Sequence, residues 1–499
     1  MNRKIVLLGV VAHLCAAIFS AGFYHYDEHF QILEFAGLKL GLNETTDLAW
    51  EYPEQIRPAL QPAIAYALIK TCHVLHLRSP FAQALILRLL SAVLALIGVT
   101  CLIKVFWHEI KSDILKKWLV LLSLFLWFMP YLHVRFSSEN WSSSVFGIGL
   151  ALLLLAKTKP DVGGMTRVKM LVIGSIFGLA FILRYQAGLM LVGLLLWLVI
   201  VKKESGAVLL ALVFGVTFSV LLGLVVDRWF YEEWTLTAWN YFKINLWENK
   251  AADFGVAPWW YYFREMAIKA LPPFGLPIIV ATAFFCFYNP RHVLTWIALP
   301  FIIVHAMVDH KELRFLFPLL NILPVVAILA AQGMSESPRF DKIKNLLPDL
   351  NKKILFALLV VLNMALLIFV CFKPADSRIY FYQYIYENYP DAAALLFIEI
   401  NPYERGNLPV NFYKHGKLKF VNLNHEQEIV DFAGKAQETV LFAAKRFDPA
   451  SEHENRDGLK LRKVFQTIPT WIMRFDFNHW LRKRTWTLYE CSPKTWRAF

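Results

Sequence analysis

Apolar residues are gathered into long runs near 5–23, 59–77, 83–105, 118–133, 142–157, 170–183, 186–201, 207–226, 272–289, 293–308, 315–333 and 354–372. Several approach the roughly 20 residues that carry a helix across a bilayer core. The pattern predicts a mostly α, polytopic bundle of about 11–12 transmembrane helices. After residue 372 it changes. Residues 373–499 mix charges, aromatics and turn signals such as Asn401-Pro402 and Asp448-Pro449, with no spanning run. Short apolar patches at Thr439–Ala443 and Trp486–Tyr489 predict a small α/β soluble domain there. The expected division is a membrane domain over 1–372, with large outer loops at 22–57 and 227–270, followed by a soluble extracytoplasmic domain over 373–499.

Composition supports this reading and removes others. Of 499 residues, 57% are hydrophobic and 18% charged, against about 45–50% and about 25% in soluble domains. A disordered chain, a disulfide scaffold and a cytosolic enzyme are excluded. Six cysteines lie scattered without a CxxC spacing, so neither a disulfide framework nor a metal site is expected. The opening Asn2-Arg3-Lys4 followed by an apolar run resembles a signal peptide. It is read here as a retained first helix, because the residues just after it carry candidate chemistry.

The net charge of +13 would suggest nucleic acid in a soluble protein; here its distribution orients the chain. Basic segments at Lys111/Lys116/Lys117, Lys157/Lys159/Arg167/Lys169, Lys202/Lys203 and Arg339/Lys342/Lys344/Lys352/Lys353 belong in the cytoplasm by the positive-inside rule. The segments 134–141, 184–186, 227–270, 309–314 and everything after 372 then face the opposite side. Parity asks for one net crossing in 59–105, which holds two runs. The first of these, carrying Lys70, His73 and His76, is open to a re-entrant or shallow reading.

The outer tips are unusually polar. They carry His25-Tyr26-Asp27-Glu28-His29, Arg135-Phe136-Ser137-Ser138-Glu139, Arg184-Tyr185-Gln186, Asp227-Arg228 and His310-Lys311-Glu312-Leu313-Arg314. For any one tip, ordinary helix-end polarity suffices. Five on one face combine a carboxylate pair suited to general-base work on a hydroxyl with Lys and Arg suited to a phosphate. A lipid phosphate and a hydroxylic acceptor are the expected substrates. Trp229, Trp234, Trp239, Trp259 and Trp260 read as an interfacial aromatic belt. Asn43 and Asn140 each open an Asn-x-Ser/Thr pattern, which matters only in a host that glycosylates secretory proteins.

Several segments resemble glycosyltransferase family 22. His25-Tyr26-Asp27-Glu28-His29-Phe30-Gln31 is similar to the family's first-loop motif, with Tyr26 in place of its usual proline. Trp50-Glu51-Tyr52-Pro53-Glu54-Gln55-Ile56-Arg57-Pro58 resembles the later first-loop segment. The most specific match is His310-Lys311-Glu312-Leu313-Arg314-Phe315, and Asp227-Arg228-Trp229-Phe230-Tyr231 through Trp259 resembles the second large loop. The resemblance runs from about residue 5 to 330 and points towards the branch that adds the third mannose of glycosylphosphatidylinositol anchors.

The resemblance implies a GT-C fold and an inverting transfer of mannose from a polyprenyl-phosphate donor to a hydroxyl of a glycan or glycolipid. That reaction uses no nucleotide sugar, and the chain shows neither a Rossmann glycine loop nor a DxD motif. By resemblance Asp27 is the catalytic base and Glu28 holds the acceptor or shares that role. Lys311 and Arg314 hold the donor phosphate, with His310 adding a hydrogen bond. His25, His29, Arg135, Glu139, Arg184 and Gln186 are supporting candidates. No cofactor or metal is expected, no nucleic-acid partner, and nothing in the sequence names a protein partner. The expected location is a bacterial inner membrane facing the periplasm, or the endoplasmic reticulum membrane facing the lumen. Transfer of another lipid-phosphate sugar is the nearest alternative. A transporter competes more weakly, since no pair of similar halves is detectable.

Overall fold

In the computed structural model the described residues are 2–156, 164–340, 348–425, 427–435, 439–445, 453–456, 459–476 and 481–493. Lys157, Lys159, Lys342, Lys344, Asp448 and Pro449, used above, lie outside them. The chain forms two compact units. The first comprises Met1–Ser20, Trp50–Leu68 and Leu85–Lys373; the second comprises Ala21–Ala49, Ile69–Ala84 and Pro374–Phe499.

The first unit is helical, and its helices follow the apolar runs. Pro80–Phe106, Ser138–Ala156, Gly206–Tyr231, Leu313–Glu336 and Leu350–Phe372 are each long and apolar enough to cross a bilayer. Pro272–Tyr288 and Val293–Met307 form a sixth candidate span, bent by 119°. The bend falls at Asn289-Pro290, where proline removes an N–H from the ladder, and the His292 side chain caps the second half by accepting from the Leu294 N–H. Among the described residues, five helices, or six with the bent pair, are thus long and apolar enough to span on their own. Gly164–Leu183 covers a further run with 20 residues, and other runs form shorter helices. Arg3–Phe19 has 17 residues, Leu60–Val74 has 15 and Asp113–Phe125 has 13.

Two features show these helices built for lipid. Large apolar side chains face outward, with Phe214, Phe218 and Leu221 more than half exposed on one helix and Val361, Ile368 and Phe369 on another. A bilayer covers such surface at no hydrophobic penalty. Inside, small residues bring helices into close approach. A Cβ on Gly174 would stand 2.0 Å from the Leu212 carbonyl oxygen, and one on Gly215 would stand 2.0 Å from that of Leu171. The core joins Leu102, Phe106, Phe146, Phe177, Leu194, Ile297 and Phe301. The protein is an integral membrane protein.

The second unit contains the small sheet region. Its strands are β1 (Ala394–Ile398), β2 (Glu404–Arg405), β3 (Leu408–Pro409), β4 (Lys419–Leu423), β5 (Val440–Ala444), β6 (His453–Arg456), β7 (Leu459–Gln466) and β8 (Thr487–Pro493). The six-stranded sheet has the order β4-β1-β5-β8-β7-β6. β1 runs parallel to both β4 and β5, whereas β8 pairs antiparallel with β5 and β7. The parallel step from β4 to β5 passes through the helix Gln427–Lys435, whose Ile429 and Ala433 pack with Leu396, Val440 and Phe442. The expected small α/β region is present.

Ala21–Ala49 and Ile69–Ala84 group with Pro374–Phe499 in this second unit. Hydrogen bonds explain this. Glu34 accepts from the Phe412 N–H at 3.1 Å and from Asn43 Nδ2 at 2.8 Å, and Asn411 Nδ2 donates to Asn43 Oδ1 at 2.7 Å. Phe81 stacks on Tyr413.

Candidate functional site

The expected site residues divide between the units. His25, Asp27, Glu28 and His29 belong to the second; Arg135, Glu139, Arg184, Gln186, His310, Lys311 and Arg314 belong to the first.

In the second unit, Tyr26–Phe30 is one short helix beginning at the His25 cap. His25 Nδ1 accepts from the Asp27 N–H and lies 3.3 Å from Asp27 Oδ1. Glu28 turns back to accept from the Tyr24 N–H at 3.2 Å. The Asp27 carboxylate keeps 18% of its side-chain surface open, so solvent or a hydroxyl can reach it. His29 differs. It is fully buried, bonded through Nε2 to Glu34 Oε1 at 2.7 Å and stacked on Tyr413 and Phe23. The supporting role expected for His29 therefore becomes one of anchoring the helix that carries Asp27.

In the first unit Glu139 occupies the centre. Its Oε1 lies 3.2 Å from Arg184 Nη1 and 3.2 Å from Arg314 Nη1. Arg314 Nε also donates to Glu312 at 2.5 Å, and both guanidiniums lie against the Phe315 ring. One carboxylate oxygen thus serves two buried cations. Burial lowers the Arg184 pKa from its ordinary value; Glu139 opposes this, while the charges of Arg314 and Arg57 reinforce it. Arg184 Nε is buried with no hydrogen-bond partner among the described residues. This N–H is a buried charged donor to spare at the cluster, of the kind an anion site uses.

Lys311 departs from expectation. Its ammonium donates to the carbonyls of Ala257 at 2.6 Å, Val308 at 2.5 Å and Asp309 at 3.5 Å. All three donors are engaged, so Lys311 clasps the 257 segment to the connection before Arg314 instead of presenting a free charge. His310 reinforces the clasp, with Nδ1 on the Gly255 carbonyl at 2.9 Å and Nε2 on Glu312 at 3.2 Å. The Glu312 hydrogen bond raises the His310 pKa, against burial. Arg135 holds the Ser20 carbonyl at 2.7 Å and also the Ser20 hydroxyl, tying off the end of the first helix. Gln186 donates to the Tyr241 hydroxyl at 2.7 Å.

Sequence reasoning missed Arg57 and overlooked the role of Asp227. Arg57 Nη2 is 3.4 Å from Glu51, and its guanidinium carbon is 5.8 Å from the Tyr241 ring centre. Asp227 is buried in a spanning helix, accepting from the Ala59 N–H at 2.7 Å and the Thr237 hydroxyl at 2.6 Å. A carboxylate at that position was the available signal, since such residues rarely lack a partner or a task. Both glycosylation patterns fall on buried side chains: Asn43 bonds Glu34, and Asn140 bonds the His133 and Arg135 carbonyls. The belt tryptophans reach the surface, from 42% exposed at Trp229 to 72% at Trp234. Among the described residues no group of three His, Cys, Asp or Glu is placed to hold a metal ion.

The bovine GPI alpha-1,2-mannosyltransferase 3 is 27% identical over 327 residues, 64% of this chain and 57% of that protein. The Yarrowia lipolytica GPI mannosyltransferase 3 is 26% identical over 351 residues, 67% of this chain and 63% of its own. The matched region thus spans somewhat over half of these relatives. ArnT from Cupriavidus metallidurans, solved bound to undecaprenyl phosphate, superposes with a TM-score of 0.52 at 12% identity, over 98% of this chain and 97% of that one. The fold is accordingly of the GT-C type. Residues 4–392 match a family description directly, and the chain belongs to the Alg9-like mannosyltransferase family.

Proposed function

We propose that this protein is a membrane mannosyltransferase, moving mannose from a polyprenyl-phosphate donor to a hydroxyl of a glycan or glycolipid on the non-cytoplasmic face. The observation that carries the reading is the Arg184–Glu139–Arg314 cluster, built on the most specific family motif in an integral membrane chain. Two guanidiniums sharing one carboxylate oxygen suit a phosphate whose charge grows as its bond to the sugar breaks. In the proposed step the acceptor oxygen attacks C1 of mannose and its proton passes to Asp27. The C1–O bond to phosphate breaks, polyprenyl phosphate leaves with the electron pair, and the anomeric centre inverts. Lys311 and His310 hold the connection that presents Arg314; Glu28 and His25 orient Asp27. The relatives' names motivate an α-1,2 product linkage and an acceptor of glycosylphosphatidylinositol type.

The test supplies the purified chain, in lipid, with polyprenyl-phosphate mannose, polyprenyl-phosphate glucose and polyprenyl-phosphate galactose in turn. Mannosyl product from the first alone is expected. Turnover of another donor with none of mannose would contradict the sugar assignment.

A further inference from the structure

The donor site proposed above has two guanidiniums around Glu139, and a third approaches it from a different part of the chain. Arg57 follows Ile56 on the segment that enters the helix Leu60–Val74. Its charge bears on Arg184 with the same sign of effect as that of Arg314, and its guanidinium lies near the Tyr241 ring. The Tyr241 hydroxyl accepts from Gln186, two residues from Arg184. Arg57, Arg184 and Arg314 thus converge on one region of the first unit, accompanied by the carboxylates Glu51, Glu139 and Glu312.

The backbone around Arg57 is pinned with unusual care. The Tyr231 hydroxyl donates to the Arg57 carbonyl at 2.8 Å. Two residues on, the Ala59 N–H donates to Asp227 Oδ1 at 2.7 Å. The other oxygen of Asp227 accepts from Thr237, whose hydroxyl also meets the Tyr185 hydroxyl. Tyr185 lies between Arg184 and Gln186 in the chain. One buried carboxylate therefore links the Arg57 segment, the helix Gly206–Tyr231 and the Arg184 connection. A carboxylate in a spanning helix is costly, and a merely structural cap would not need to reach all three.

We propose that Arg57 is a third cationic ligand of the donor phosphate, and that Asp227 is the residue positioning it against Arg184. The proposal rests on the donor-site reading above. Three forks of N–H donors can surround the three non-bridging oxygens that a leaving phosphate monoester exposes.

The experiment uses the full chain in lipid and reads two quantities: the KM for polyprenyl-phosphate mannose, and the inhibition constant of polyprenyl phosphate alone. Losing one charge-assisted contact should weaken both by roughly ten- to a hundredfold in Arg57→Gln, with the acceptor KM little changed. Arg57→Lys should recover part of the loss, because charge returns without the fork. Asp227→Asn should raise the same two constants less than Arg57→Gln and add little to it in the double variant. Arg314→Gln is the control. If Arg314→Gln weakens polyprenyl phosphate and neither Arg57 variant does, the third-ligand assignment is overturned while the donor site stands. If none of them alters its binding, the donor-site reading itself is wrong. Should Arg57→Gln fail to fold, the Arg57→Lys measurement decides, and wild-type constants there overturn the proposal.

Discussion

At the scale of single residues, the main lesson is that charge near an active face does two jobs. Lys311 and His310 are engaged in holding backbone, while Arg184 retains an unpartnered buried N–H among the described residues. Lys311→Met should therefore lower thermal stability by about 1–3 kcal/mol, the price of unsatisfied buried carbonyls, and do so more than it raises donor KM. A donor KM rise as large as that of Arg314→Gln would return Lys311 to the phosphate. His310 supplies a pH signature. Its pKa is raised chiefly by Glu312, with the Gly255 carbonyl assisting and burial and Arg314 opposing. The stability it adds is then fully present below the ordinary histidine value of 6.5 and lost as pH rises through the raised value. Unfolding midpoints measured from about pH 5.5 to 8.5, a range that brackets a histidine titration, should fall with rising pH in wild type. They should fall less in His310→Gln; equal slopes would remove His310 from the account.

Elements were the most legible level in the sequence, because an apolar run in lipid has few options besides a helix. Breaks were less legible, as at the bend after Tyr288, where two adjoining runs form one bent pair. The close approach of Gly164–Leu183 to Gly206–Tyr231 was also hidden, since a glycine in an apolar run looks like any small residue until its neighbour is known. Gly174→Ala and Gly215→Ala should each destabilise the purified protein by about 1–3 kcal/mol through overpacking. Gly206→Ala, with nothing within 4 Å of the added carbon, should not. If all three behave alike in a thermal-shift series, tight glycine packing is not what joins these helices.

Across the whole molecule, the family was legible from short motifs, and the wiring between them was not. Asp27, Glu28 and Arg314 could be named from local pattern, and so could Glu139 and Arg184 as weaker candidates. The shared Glu139 oxygen depends on residues 45 and 175 positions away, and no local spacing reports it. Arg57 stood inside a quoted motif, but its relation to Arg184 runs through Asp227, Thr237 and Tyr185, a path visible only once folded. The tie of Glu34 to the Phe412 N–H likewise joins residues 378 positions apart, and no local spacing reports it. The account as a whole makes Asp27 the base for mannosyl transfer, and its most direct test is a single-turnover measurement with polyprenyl-phosphate mannose and a glycolipid acceptor. Asp27→Asn should bind polyprenyl phosphate as wild type does yet transfer mannose about 10²–10⁴-fold more slowly. Transfer by that variant at the wild-type rate would contradict the account.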